Sequence, residues 1–244
     1  MSDAPYAEIE REFASAATSE AVLSLSRSER EKLREYWLAR ADGELTTALS
    51  FEFMLEDLMQ LGAPPELRAL AQRAIGDEHK HADWCLRWAK LLDPTQPASA
   101  KLVGTRPLEF DVAEEHDQRL LRIVFGGCFS ETVAIHVLRA SHAQITLNSV
   151  RRLNHVHMKE ELDHARLGWA FLGWSGLSQR DRDMLRAQVP ALTALTRATW
   201  MGSRRASSPV LHALGYMSGP LVDAACEEAL ESVIMPGLAR LGAL

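Results

Sequence analysis

Apolar residues recur three and four positions apart through most of this chain, and no stretch shows the strict alternation that marks a half-buried strand. The expected fold class is therefore all-α. Leu45, Ala48, Phe51, Leu55 and Leu58 form one such stripe, the core face of a first long helix running from residue 28 to 61. Ser28 and Glu31 have the spacing of a capping box at its start. Asp42-Gly43 could break this helix or begin a new one just before Glu44. Gly62-Ala63 closes it and Pro64-Pro65 opens the second, which reaches Leu92. Residues 93–111, interrupted by Pro94, Pro97, Gly104 and Pro107, lack helical periodicity and read as a long connection. The pattern resumes near Val112 and carries Leu121, Val124, Cys128, Glu131, Ile135 and Leu138 on one face of a third helix. After a turn at 143–148, a fourth runs from Ser149 to Leu172, where Gly173 and Gly176 stop it. Further helices are expected from Ser178 and over 219–242, with breaks at 202–209 and 215–220. Residues 6–22 could form a short amphipathic helix on the surface.

Composition adds limits. With 244 residues, 47% hydrophobic and 25% charged, the chain can bury a full core, and one domain over 1–244 is expected. A net charge of −6 without a Lys/Arg-rich stripe argues against nucleic acid as a partner. Cys85, Cys128 and Cys226 are widely spaced, so neither a disulfide framework nor a thiolate metal site is indicated, and a reducing cytoplasm fits. The first residues lack a basic start with an apolar core, and no apolar run is long enough to span a bilayer. Neither standard secretion nor membrane insertion is expected.

Against this background one short pattern appears twice. Asp77-Glu78-His79-Lys80-His81-Ala82 and Glu160-Glu161-Leu162-Asp163-His164-Ala165 each carry Glu-x-x-His, preceded by a second acid, inside a helical run. Three positions place Glu and His about 60° apart on one face, so both can reach one ion. The helix before each pair offers a further carboxylate. Antiparallel helices joined by a short turn bring together residues equidistant from it. Glu44 and His81 are equidistant from Gly62-Ala63, and Glu131 and Glu161 from the turn near 146. Glu52 fails this test, and its rotation of about 80° from Glu44 prevents both from facing one centre. Glu131 is the sole acid between Asp117 and Glu160, on an otherwise apolar helix, where a carboxylate needs a partner. Two Glu-x-x-His helices facing two helices with one Glu each make the ligand set of di-iron and di-manganese bundles. Four clustered carboxylates without cations would repel, and some would stay protonated.

Neighbouring residues carry alternatives. Asp77 and Glu160 could accept a hydrogen bond from a ligand histidine's free ring nitrogen, or be solvated acids. His157 shares the face of Glu161 and His164 and is either a seventh ligand or a packed histidine. His79, His136 and His155 are out of phase, and His142 sits three turns from Glu131. Gly126, Gly127 and Cys128 could leave room for oxygen or substrate, or allow close helix packing.

On Glu44, Glu78-x-x-His81, Glu131 and Glu161-x-x-His164, the chain resembles the ferritin-like di-iron carboxylate superfamily over about residues 40–175. Lys80 and Asp163 depart from the Arg that often precedes the histidine there. His157, four before Glu161, is also similar to the three-histidine site of aryl-amine N-oxygenases. The resemblance implies a four-helix bundle with its long crossover between the second and third helices. It further implies a metal-binding core over about 28–175 and a helical extension over about 178–244. Two iron ions, or manganese, would sit on those six residues. The implied activity is dioxygen activation to oxidise a small organic molecule, with a possible electron donor and possible oligomer. The alternatives are a ferroxidase or iron store, and a metal-stabilised scaffold without catalysis.

Overall fold

The computed structural model describes residues 11, 13, 15, 16, 18–104 and 106–242, and among these every regular element is helical. Part of the helix expected over 6–22 lies outside them; residues 11, 13, 15 and 16 are helical, and a separate single turn, α1 (Glu20–Leu23), follows. Helix α2 (Arg27–Gln60) begins slightly earlier than its sequence suggests. Ser26 is the N-cap, its hydroxyl accepting from Glu29 N while the Glu29 carboxylate accepts from Ser26 N, so the box is Ser26/Glu29 rather than Ser28/Glu31. Both have the right spacing; the earlier one wins because it lies where the chain turns from α1. A cap of this kind contributes about 1 kcal/mol. Nor does α2 break at Asp42-Gly43. The Asp42 carboxylate instead accepts from Lys101 N at 2.6 Å, serving the long connection and not a helix start.

Gly62 takes φ +67°, the left-handed conformation that ends α2, and Pro65 opens α3 (Pro65–Leu92). A residue with a side chain at 62 would cost about 1–2 kcal/mol. The two helices pack antiparallel along their length. Helix α4 (Glu115–His142) starts slightly later than expected and contains a π-helical segment, Val124–Ser130, ending where Glu131 begins. Helix α5 (Asn148–Leu172) packs back along it. Buried Arg122 of α4 donates to both oxygens of Asp57 of α2, at 2.7 and 2.8 Å, while α3 meets α5. The connection 93–114 runs along α2. Pro97 O accepts from Arg34, Lys101 N reaches Asp42, and Val103 O accepts from Thr46. This carries the chain from one end of the helices to the other, so that α4 starts beside the end of α2.

Helices α6 (Gln179–Trp200), α7 (Pro209–His212) and α8 (219–240) add a second layer. Ser178 and Asp181 form the capping box of α6. Helix α8 covers the outer face of α4, which explains why Val133 and His136 are buried away from the face of Glu131. A helix apolar all round is a buried helix. Helix α4 is the one described helix long and apolar enough to cross a membrane, and 72% of its apolar window is buried within the protein. One apolar core runs from Ala16 to Leu238, so the C-terminal layer shares it. Cys85, Cys128 and Cys226 are all buried in this core as free thiols.

Candidate metal centre

Four helices deliver side chains to one point in this interior: Glu44 from α2, Glu78 and His81 from α3, Glu131 from α4, and His157, Glu161 and His164 from α5. All but the half-buried Glu44 are at most 4% exposed. Their donor atoms make two groups that could each hold an ion. One is Glu44, His81, His157 and Glu161; the other is Glu78, Glu131, Glu161 and His164; within each, the atoms lie within 4.8 Å of one another. Glu161 belongs to both. Glu78 also reaches both histidines, with Oε2 3.2 Å from His81 Nδ1 and Oε1 3.0 Å from His164 Nδ1. Glu52 is exposed and takes no part.

The rings are oriented from behind. His81 turns Nδ1 inward, and its Nε2–H donates to Glu160 at 2.8 Å. His164 likewise turns Nδ1 to Glu161 at 2.9 Å, with Nε2 3.6 Å from Asp77, close enough for charge attraction but beyond a hydrogen bond. Each leading acid thus faces the histidine of the opposite helix. Asp77 also pairs with Lys80 at 2.7 Å. Phe51 packs edge-on to the His164 ring at 5.2 Å. A metal-binding imidazole needs this outward anchoring, which fixes the tautomer and leaves a lone pair facing in.

His157 joins the cluster with a different polarity. Its Nε2 lies 2.6 Å from Glu161 Oε1, while Nδ1 lies 3.2 Å from Arg40 Nη2. A guanidinium only donates, so Nδ1 accepts and the proton sits on Nε2, aimed at Glu161. Arg40 also holds Glu44 at 2.9 Å. For His157 to ligate through Nε2, its proton must move to Nδ1 and Arg40 must withdraw.

Electrostatics distribute protons through the cluster. Burial, and then the charge of Glu161, raise the Glu131 carboxyl well above its usual range. Burial opposes charge on Glu161 too, but the His164 and His157 rings hold it well below. Burial and the charge of Glu161 also work against the Glu78 carboxylate, yet His164 and His81 lower it. Burial works against protonation of His81, yet Glu160 and Glu78 push it up to about 10, and His164 is raised in the same way by Glu161 and Asp77. The metal-free cluster therefore balances two imidazolium rings against two carboxylates, with Glu131 neutral and Glu44 on Arg40. Glu78 Oε1 is buried against His164 Nδ1 at 3.0 Å, an ion pair whose alignment falls short of a hydrogen bond. Clustered buried carboxylates and inward Nδ1 atoms fit a site for metal.

A cavity of about 610 Å³ opens onto the cluster, with Glu44, Glu131, His157 and Glu161 at its inner end. Tyr36 and Arg40 of α2 line one side, and Trp200 to Ser203 with Arg205 of the C-terminal layer close the outer side. A smaller one of about 130 Å³ lies on another side of Glu131, between Met54, Leu108, Phe125 and Gly126. Gly127 and Cys128 open neither: a Cβ on Gly127 would lie 2.6 Å from the Gly168 backbone, so this glycine serves close packing of α4 on α5. His136 is a core residue with Nδ1 donating to Thr132 O, and His142 pairs with Asn154. Tyr36 and Arg40 precede Glu44 by eight and four residues, a spacing that signalled a shared face. Trp200 and Arg205 carry no periodic signal. Comparison of the chain with known protein families, curated proteins and solved structures gives no match.

Proposed function

We propose that this chain is a ferritin-like di-metal oxidase or oxygenase of the cytoplasm. In this reading two iron ions, or manganese, are held by Glu44, Glu78, His81, Glu131, Glu161 and His164, and dioxygen is used to oxidise a small organic molecule. The observation that carries the proposal is the cavity of about 610 Å³ reaching the carboxylates of Glu131 and Glu161. Its volume lies in the range of small-molecule sites, and an iron store needs no such chamber. When bound, the metal pair supplies electrons for the reduction of dioxygen. The chain's own residues do the rest. Glu160 fixes the His81 ring, Arg40 holds Glu44 at the inner wall, and apolar Val137, Leu138 and Val222 exclude water from a bound substrate. An external reductant is needed for repeated turnover.

The test is anaerobic loading with Fe(II) followed by rapid mixing with oxygen. The expected result is about two Fe(II) per chain, one fast oxidation, and no further oxygen consumption until reductant is added. Glu131→Ala and His164→Ala should lose metal, whereas Glu52→Ala should load normally. Sustained oxidation of many added Fe(II) equivalents would favour iron handling, and full metal content in both ligand variants would sink the site.

A further inference from the structure

A cation is already built into one half of the centre. Arg40 Nη2 lies 2.9 Å from Glu44 Oε1 and 3.2 Å from His157 Nδ1. Both partners belong to the group Glu44, His81, His157 and Glu161, and neither belongs to the group Glu78, Glu131, Glu161 and His164. The Arg40 and Glu44 side chains are only 16% and 13% exposed, and among the described residues Glu44 is the one carboxylate paired with Arg40. Trp37 backs the guanidinium, 5.3 Å from its ring centre, and holds it in place. The carboxylates of the other group face histidine rings and one another instead. This difference matters when a metal arrives. An imidazolium can give up its proton to make way for an ion, but a guanidinium stays charged and only donates, so it has to move. An ion among the atoms of the Glu44 group would stand close to the Arg40 charge, and like charges repel strongly where water is scarce. Arg40 borders the cavity of about 610 Å³, which gives it room to draw back.

We propose that Arg40 holds the Glu44 half of the centre closed and so imposes an order on metal binding. The Glu78, Glu131, Glu161 and His164 group fills first. The Glu44, His81, His157 and Glu161 group fills only as Arg40 gives up His157 and draws back toward the cavity. Arg40 is thus a positioning residue that sets the metal concentration at which the pair becomes complete, and a chain holding one ion stays in the closed form. The inference rests on the two-ion reading of the centre proposed above, and not on its oxygen chemistry.

Titration of the metal-free full chain with Co(II) in the absence of oxygen, followed by its visible absorption, tests this. The wild type should take up two ions in two separate steps. Two ions in one pocket repel each other in any case, so the variants decide. Arg40→Gln should tighten the second step about tenfold or more and leave the first unchanged. Arg40→Lys, which keeps the charge, should stay near the wild type, and Glu44→Gln should lose the second step alone. An intact first step shows that each variant is folded. A second step unchanged or weakened in Arg40→Gln would overturn the inference and leave Arg40 as a support for Glu44. Arg40→Lys behaving like Arg40→Gln would overturn it too, as would a chain that binds no Co(II). Two ordered steps that Arg40→Gln brings together, in a protein whose Fe(II) form never reacts with oxygen, would sustain the inference and remove the oxidase reading. Two steps indifferent to Arg40, in a protein that does react, would do the reverse.

Discussion

At the scale of residues, the cluster behaves as a proton-filled version of a metal site. Protonated His81, His164 and Glu131 stand where divalent cations would neutralise the same carboxylates. Loading a pair of divalent ions near neutral pH should therefore release about three protons, one from each of these groups, measurable with an indicator dye in weak buffer. Loading without proton release would contradict this charge balance. Stability should follow the same logic. A histidine whose folded pKa is raised stabilises the fold fully below its unfolded value and loses that contribution as pH rises through the folded one. For His81 the window runs from its ordinary 6.5 to about 10, and the raised Glu131 carboxyl acts in the same direction. The melting temperature of the metal-free protein should thus fall as pH climbs through this window, and metal should cancel the fall. A metal-free protein that gains stability there would exclude the imidazolium pairs.

At the scale of elements, depth and phase are set by two hairpins and one irregular turn. Gly62 fixes how far α3 slides along α2, and so brings Glu44 level with His81. The π-helical Val124–Ser130 ends at Glu131, and the wider turn brings Gly127 against Gly168 with no room for a side chain. Gly127→Ala should accordingly push α4 from α5, lowering stability by about 1–3 kcal/mol in urea unfolding and weakening metal binding through Glu131. Gly126→Ala is the control. Its Cβ meets only Met54 Sδ and Cε, the movable end of a side chain, so the change should be nearly neutral. Equal effects of the two would show that helix separation is not held by Gly127.

At the scale of the whole molecule, the C-terminal layer makes the difference between a cluster and a chamber. Helices α6 and α8 share the core of the four long helices, and the segment between them covers the side of the cavity that those helices leave open. Metal held by this cluster would touch all four long helices at once, and so would stabilise the folded state as one unit. Chelation should lower the melting temperature in a single transition; an unchanged curve after verified metal removal would mean the ions contribute nothing to the fold.

The repeated Glu-x-x-His, the lone acid of α4 and the position of two turns were enough to collect Glu44, Glu78, His81, Glu131, Glu161 and His164 from the sequence, because helix phase and equal distance from a turn are local geometry. The same arithmetic rejected Glu52 and kept His157 on the right face. The cap at Ser26 and the unbroken helix through Gly43 were not legible, since two serines share the required spacing and Asp42 is used by a distant segment. Which acid serves which histidine was decided by the antiparallel register of α3 against α5. The tautomer of His157 was decided by Arg40, whose role depends on where its guanidinium lands. The cavity belongs to tertiary structure alone: Trp200 and Arg205 lie far from the cluster in sequence, and only packing of the C-terminal layer brings them over it.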